Sequence, residues 1–498
     1  MTETDSQDTK GIVFNFLIEL GCCKRCALRF VGDSNTNYDN PTDDVKKLTR
    51  KDLGQNSNDE NVFKKSKPNP CIICLDLLQD TTLQTMILNP ELEKVLEYDS
   101  DTFVNYVSLP KAVLIREHSM EICVKEKFPQ FFKDRNVIAL NRAWSLSIQN
   151  KLAQRLEKKY DKNSYLQIQF NTSYVLDKEE SLVMLLLEDK SRKHSIQHDP
   201  LSCKNVTSSL QTINSELFKQ KVSIPPATPT KALDVEQVFY KHDHVFIAGR
   251  YCKYARNMFQ TPWSGDDIQV EISSVQEKIF DHIENSFSCS AMVFSSSGRE
   301  DFDVRTLGRG RPFFIKICDP KRTKVSFEKF RQIEQAVKHT KVVEVRDLQF
   351  IDRRYLSNIK EGEQFKKKTY RALCIVDKPE NLTAYIDKIN NISAVTLQQK
   401  TPLRVYHRRS SDIRERQIYS LKAKVINGKK NLLELDMITQ AGTYIKEFVH
   451  GDLGRTTPSL CEIVGGYIDI IALDVLDIHL DFPPSINHKV KNHQTVNY

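Results

Sequence analysis

The segment spanning residues 295–317, SSSGREDFDVRTLGRGRPFFIKI, is the sharpest place in this chain to look for chemistry. A strand-like run ends at Ser and Gly, presents Gly298, Arg299, Glu300 and Asp301, and then resumes as an apolar strand. A carboxylate on such a loop can be aimed into a cleft. The cation of Arg299 beside it would hold Asp301 ionised, because a nearby opposite charge lowers a carboxyl pKa. An ordinary polar turn with surface ion pairs accounts for the same residue types, so both readings stand at this point.

Four cysteines form a second set. Cys23 and Cys26 make one C-x-x-C pair, in GCCKRCALRF, and Cys71 and Cys74 make another, in NPCIICLDLL. Two intervening residues let both sulfurs of a pair face one ion, so the two pairs offer a tetrahedral site for Zn²⁺. With no open ligand position that zinc would be structural, closing a small N-terminal module. The alternative is two unrelated pairs, with Cys22 as an extra thiol. The Asn-, Asp-, Ser- and Lys-rich residues 32–70 between the pairs read as a tolerated surface loop, and the isolated cysteines elsewhere as reduced thiols outside any disulfide framework.

These groups need elements to position them. Ser274 and Glu277 form an S-x-x-E capping box ahead of Ile279, Phe280 and Ile283, which predicts a helix. A second helix is predicted over 326–339, with Phe327, Phe330, Ile333 and Val337 on one stripe. Strands are predicted over 291–295, 312–318, 372–377, 419–426 and 467–476, an α+β pattern with no strict βαβ repetition. Before the Pro-rich joint IPPATPT (224–230), residues 140–158 have helical apolar spacing, while 113–122 and 181–188 read as strands.

At 498 residues the chain exceeds what one core usually serves. The expected division is a zinc module over 1–90, an accessory domain over 91–229 and a catalytic domain over 230–498. Seventy-three Lys and Arg against 65 Asp and Glu leave a mild net charge of +8. Cations concentrate at Arg404, His407, Arg408, Arg409, Arg414 and Arg416, with Arg250, Lys253, Arg256 and Lys366 to Lys368 adding more, and Tyr251, Tyr254 and Trp263 interleaved. Clustered cations neutralise phosphates and flanking aromatics stack on unpaired bases, although charge runs are more often solvated faces. Apolar runs carry Asp and are too short to span a bilayer, and the polar first ten residues show no secretory signal, so an intracellular soluble protein is expected.

The string GREDFDVRTLGRGRPF resembles the catalytic loop of the pseudouridine synthase 10 family, and further blocks resemble that family at GRYCKYARNMFQTPW, TPLRVYHRRSSDIRERQIY and TQAGTYIKEFVHGDLGRTTP. The two cysteine pairs are similar to the family's zinc ligands, Cys23, Cys26, Cys71 and Cys74. The resemblance implies a pseudouridine synthase catalytic fold on a mixed, largely antiparallel sheet flanked by helices, with a zinc-containing, THUMP-type α/β accessory domain. It makes Asp301 the catalytic carboxylate and Asp303 a bystander. It makes Tyr370 the ring that meets uracil, Lys446 the cation pairing with Asp301, Ile445 an aliphatic contact to the base, and Leu473 an apolar wall. The implied substrate is tRNA, at the T-loop uridines, with Arg250, Lys253, Arg256, Arg404, His407, Arg408 and Arg409 on the RNA. No organic cofactor, no membrane and a monomer in nucleus and cytoplasm complete the expectation.

Two rivals are weighed against it. A THUMP-associated methyltransferase or thiolase would need G-x-G-x-x-G after a strand or a Walker-type loop; the sequence shows neither, and Gly308 and Gly310 lack the third glycine. A non-catalytic RNA-binding protein could keep the same fold, but the joint presence of Asp301, Tyr370 and Lys446 favours an enzyme.

Overall fold

The computed structural model describes residues 3–32, 35–49, 69–187, 201–263, 273–357, 359, 366–408 and 410–486. The chain divides into two compact units, Met1–His242 and Asp243–Tyr498.

In the first unit a four-stranded sheet has the order β2-β1-β3-β4, with β1 (Thr102–Ser108), β2 (Lys159–Tyr160), β3 (Leu166–Ser173) and β4 (Asp234–His242). Strand β1 runs parallel to β2 and β3, and β4 is antiparallel to β3. The boundary therefore falls at His242 rather than at the Pro-rich joint, because the chain beyond that joint supplies the sheet's last strand. The zinc-module segment has no core of its own either: Cys26, Leu28 and Phe30 share one apolar cluster with Phe103, Trp144, Phe170 and Val238.

The helix predicted over 140–158 runs Leu140–Leu156, with Trp144 fully buried. The strand predicted over 113–122 is instead the middle of a helix, Lys111–Lys127. Its β-branched residues read as a strand locally. Packing decides otherwise, since Val113, Met120 and Val124 enter the core while Arg116 on the same helix pairs with Glu180 and donates to the carbonyls of Ile72 and Ala227. Residues 181 and 183–187 likewise fall in short helices, Asp177–Ser181 and Val183–Leu187, joined by a turn at Leu182, and position 188 lies outside the described residues.

The second unit is built on a ten-stranded sheet: β5 (Val245–Lys253), β6 (Ala291–Ser296), β7 (Arg305–Cys318), β8 (Val343–Ile351), β9 (Lys367–Val376), β10 (Val395–Lys400), β11 (Ile413–Val425), β12 (Leu432–Gln440), β13 (Thr456–Thr457) and β14 (Ile468–Ile478). The order is β13-β10-β11-β12-β9-β14-β7-β5-β8, with β6 paired to β7. Every pairing in it is antiparallel among the described residues except β14 with β7, where Asp474 and Val475 align with Arg305 and Thr306. This is the α+β pattern read from the residues, on the mixed, largely antiparallel sheet that the family resemblance implies.

Two cores flank that parallel seam. Helices Val275–Phe287 and Phe327–His339 pack on β5, β7 and β8, and Leu382–Asn390, Ile445–His450 and Leu460–Val464 pack on the β9, β11, β12 and β14 half. The first of these helices starts at the predicted capping box, with Ser274 and Glu277 satisfying each other's backbone N–H. The second buries Phe330, Ile333 and Val337 but leaves Phe327 half-exposed at its first turn.

The seam explains the GRG run. At Gly308, with φ +62°, a Cβ would stand 1.9 Å from the carbonyl oxygen of Leu476 on β14, and at Gly310, with φ +80°, 2.7 Å from that of Tyr251 on β5. Only a residue without Cβ lets β7 lie this close to both neighbours. Gly308→Ala is therefore expected to destabilise the protein by about 2–4 kcal/mol, read as a lower urea midpoint; an unchanged midpoint would show that the strands can separate at no cost.

Candidate active site

The loop between β6 and β7, residues 297–304, carries Asp301 and is pinned from below by buried charge. Lys253, at the end of β5, is fully buried, and its ammonium donates to the carbonyls of Met258, Asp301 and Phe302 at 2.8, 3.1 and 3.2 Å. Burial pushes its pKa down to about 8, with Glu300 pulling the other way, so it still carries its proton at neutral pH. Arg256 donates to the carbonyls of Asp303 and Leu473 and pairs with Asp474 at 2.7 Å.

Glu300 points into the protein instead of the cleft. Its fully buried carboxylate meets Arg311 at 2.7 Å and accepts from the Tyr251 hydroxyl, while Arg311 also donates to the carbonyl of Ser297. Gln260 extends this network to the Tyr251 hydroxyl, the Ser296 hydroxyl and the carbonyl of Gly298. A buried ion pair needs such extra hydrogen bonds to offset desolvation. Their geometric result is a loop that turns Glu300 inward and Asp301 outward.

Asp301 opens onto a cavity of about 230 Å³, lined by Arg299, Asp303, Arg404, Lys446 and the aromatic rings of Phe259, Trp263 and Phe302. Phe259 stacks on Trp263 with centroids 5.3 Å apart and lies 4.6 Å from Phe302. Arg404, in the 3₁₀ turn Leu403–Arg408, donates to Asp301 at 2.9 Å and to Glu447 at 2.6 Å. Lys446 holds both oxygens of Asp303 at 2.8 Å and stands 3.6 Å from Asp301. The result is an unbroken chain, Glu447–Arg404–Asp301–Lys446–Asp303, of three carboxylates and two cations.

One negative charge is in excess in that chain, and the distances locate it. Each cation has a nearer partner than Asp301, so Asp301 is held by two cations already matched elsewhere. Asp303 is engaged through both oxygens; burial works to raise its pKa, but the hydrogen bond and charge of Lys446 outweigh this and leave it below the ordinary value. Asp301 is thus the carboxylate left available to a reacting molecule. Beneath the site, Tyr370, Ile445 and Leu473 belong to one buried apolar cluster. Burial pushes Tyr370 up to about 12, Arg311 opposing and the charges of Asp301 and Glu300 adding, so its hydroxyl keeps its proton at neutral pH.

Several expectations change in detail. The cation nearest Asp301 is Arg404, whereas Arg299 is exposed on the cavity wall. Lys446 pairs first with Asp303, and with Ile445 it begins a helix rather than lying in a strand. Of the cations assigned to RNA, Arg250 is buried with its guanidinium on the carbonyls of Arg309, Gly310, Leu480 and Phe482, and Lys253 is consumed by the loop, so neither presents charge to a polyanion. Arg256 and Arg404 are committed to protein carboxylates. His407 is exposed; Arg409 and the side chain of Arg408 lie outside the described residues. Glu447, Asp303, Phe259 and Phe302 were not legible as site residues, because nothing in their spacing separates them from helix, turn and core residues of the same type.

In the first unit Cys23, Cys26, Cys71 and Cys74 bring four sulfurs within 4.8 Å of one another, with Cys23 and Cys74 3.8 Å apart. A tetrahedral ion with metal–sulfur bonds of about 2.3 Å separates its sulfurs by roughly 3.8 Å, so these residues can hold a metal ion. Among the described residues no helix is long and apolar enough to cross a membrane.

Comparison with known proteins gives matches over both units. Residues 246–479 match the family described as "Pus10, C-terminal" and residues 71–239 match "Eukaryotic Pus10, N-terminal". The chain is 33% identical to the tRNA pseudouridine synthase Pus10 of Xenopus laevis, across 95% of this chain and 98% of that one. It is 32% identical to the putative tRNA pseudouridine synthase Pus10 of Drosophila melanogaster, across 96% and 97%, and 33% identical to the Homo sapiens protein of the former name, across 85% and 81%.

The clamp under the loop has a measurable consequence. Lys253→Met takes the charged donor from the buried carbonyl of Met258 and the part-buried carbonyls of Asp301 and Phe302, at a cost of about 2–4 kcal/mol. The expected result is a lower urea midpoint; retention of the wild-type midpoint would mean that Lys253 does not hold the loop.

Proposed function

The chain belongs to the Pus10 family and is an RNA pseudouridine synthase, and from that premise we propose that it isomerises uridine in the T-loop of tRNA with Asp301 as the reacting carboxylate. The observation that carries the assignment to Asp301 is its position as the excess anion of the charge chain, facing an aromatic-walled cavity. Uridine in a folded loop is inaccessible, so the base leaves its stack to enter that cavity, with stacking on Phe259 and Trp263 offsetting the lost contacts.

Asp301 assists cleavage of the bond between C1′ and N1. The uracil turns, C5 bonds to C1′, the C5 proton departs and N1 gains one, with no redox change. Tyr370, protonated and buried beside the charges of Asp301 and Arg311, meets the base and handles a proton. Ile445 and Leu473 supply the apolar wall, and Arg299 faces the RNA from the rim. The first unit acts as the THUMP-type domain that grips a second part of the tRNA, stabilised by a structural zinc on Cys23, Cys26, Cys71 and Cys74.

Two measurements check this reading. Wild type incubated with an unmodified tRNA transcript should give a carbodiimide-dependent primer-extension stop in the T-loop, and Asp301→Asn should give none while binding the tRNA about as well. Activity retained in Asp301→Asn would identify the wrong carboxylate, and no stop with wild type despite tRNA binding would favour a non-catalytic RNA-binding role. Separately, metal analysis should find zinc near one per chain, and Cys71→Ser should lower both zinc content and thermal stability; protein purified free of zinc would remove the structural-site assignment.

A further inference from the structure

Glu447 occupies an unusual position for a carboxylate that does not face the cavity. It is 1% exposed, sits in the first turn of the helix Ile445–His450 directly after Lys446, and gives one oxygen to Arg404 at 2.6 Å, while its second oxygen has no hydrogen-bond partner among the described residues. Burying a carboxyl group with one oxygen unpaired is costly unless the group has a role. Arg404 stands between it and Asp301, touching both.

On the reading that Asp301 is the reacting carboxylate, we propose that Glu447 is a positioning residue for the isomerisation: it orients Arg404 toward Asp301 and balances the Arg404 charge when Asp301 loses its own. If Asp301 bonds to the sugar, its charge disappears, and a guanidinium matched only by Asp301 would then be left uncompensated. Glu447 keeps Arg404 neutralised through that step, as Asp303 does for Lys446. It also moderates the field at Asp301. Two fully effective cations would hold the carboxylate too firmly to act, whereas two matched cations orient it and leave it reactive. Among the described residues, the other charged or titratable groups around Asp301 are Arg299 on the cavity wall, Lys253 through the loop carbonyl and Tyr370 below, with Glu300 and Arg311 paired behind.

Single-turnover pseudouridylation of a tRNA transcript, followed across pH with Glu447→Gln, tests this. Glutamine keeps the shape and removes the charge, so Arg404 acts on Asp301 unopposed. The expected result is a rate 10- to 100-fold lower at neutral pH, with tRNA affinity unchanged and the acidic limb of the profile moved about one unit to lower pH. A packing defect alone would leave that limb in place, and an unmoved limb overturns the proposal whatever happens to the rate.

If Glu447→Gln does not fold, Arg404→Gln and the Arg404→Gln/Glu447→Gln pair decide the question. The acidic limb should lie at higher pH in the single variant and return toward lower pH in the pair, whereas coincident limbs would show that the Glu447 charge is not felt at Asp301. Wild-type protein without pseudouridylation would overturn the enzymatic reading itself, a result separate from any shift among variants.

Discussion

A loop that exposes Asp301 must leave neighbouring peptide carbonyls facing the interior, and the buried ammonium of Lys253 is what makes that tolerable. Three carbonyls crowding one region would repel one another; the amides of Val304 and Met258 donate to those of Asp301 and Phe302, and a single cation touches all three. Much of the surrounding structure serves that contact. The Glu300–Arg311 pair fixes the opposite side of the loop, and Arg256 ties the next carbonyl to the seam strand β14. Loop, seam and the end of β5 are therefore tied together by buried charge as well as by the apolar core beneath β5 and β7.

The seam sets where the charges on the far side can reach. Arg305 on β7 and Arg256 share Asp474 of β14, so the only parallel pairing among the described strands of this ten-stranded sheet is stitched at the level of the active loop. The half of the sheet beyond the seam brings Arg404, Lys446 and Glu447, from a 3₁₀ turn and a helix more than 100 residues away in sequence, to the loop carrying Asp301. Gly308 and Gly310 belong to this account as backbone requirements, since any side chain there would push β7 off its neighbours.

Division of labour among the carboxylates follows from surroundings alone. Glu300, Asp301, Asp303 and Glu447 lie on two short segments and are similar as chemical groups. Glu300 is buried against Arg311, Asp303 is chelated by Lys446, and Glu447 is buried behind Arg404. Asp301 alone of the four is both open to the cavity and second in line for each cation it touches. Selectivity for one reacting anion thus comes from supplying the others with better partners.

The order of residues by itself determined the features that depend on local chemistry: the two C-x-x-C pairs, the capping box at Ser274, the amphipathic helix ending at His339, the strand–loop–strand around Asp301 and the α+β class. It misread residues 113–122, where β-branched side chains suit a strand but the core demanded a helix, and it placed a boundary at a Pro-rich joint that lies within the first unit. Tertiary structure alone decided which cations meet Asp301, that Arg250 and Lys253 spend their charge on backbone carbonyls, and that Glu447 stands behind Arg404. The physical reason is range: capping and periodicity act over a few residues, whereas a charge's role is set by the distance and burial of partners that only the folded sheet brings together.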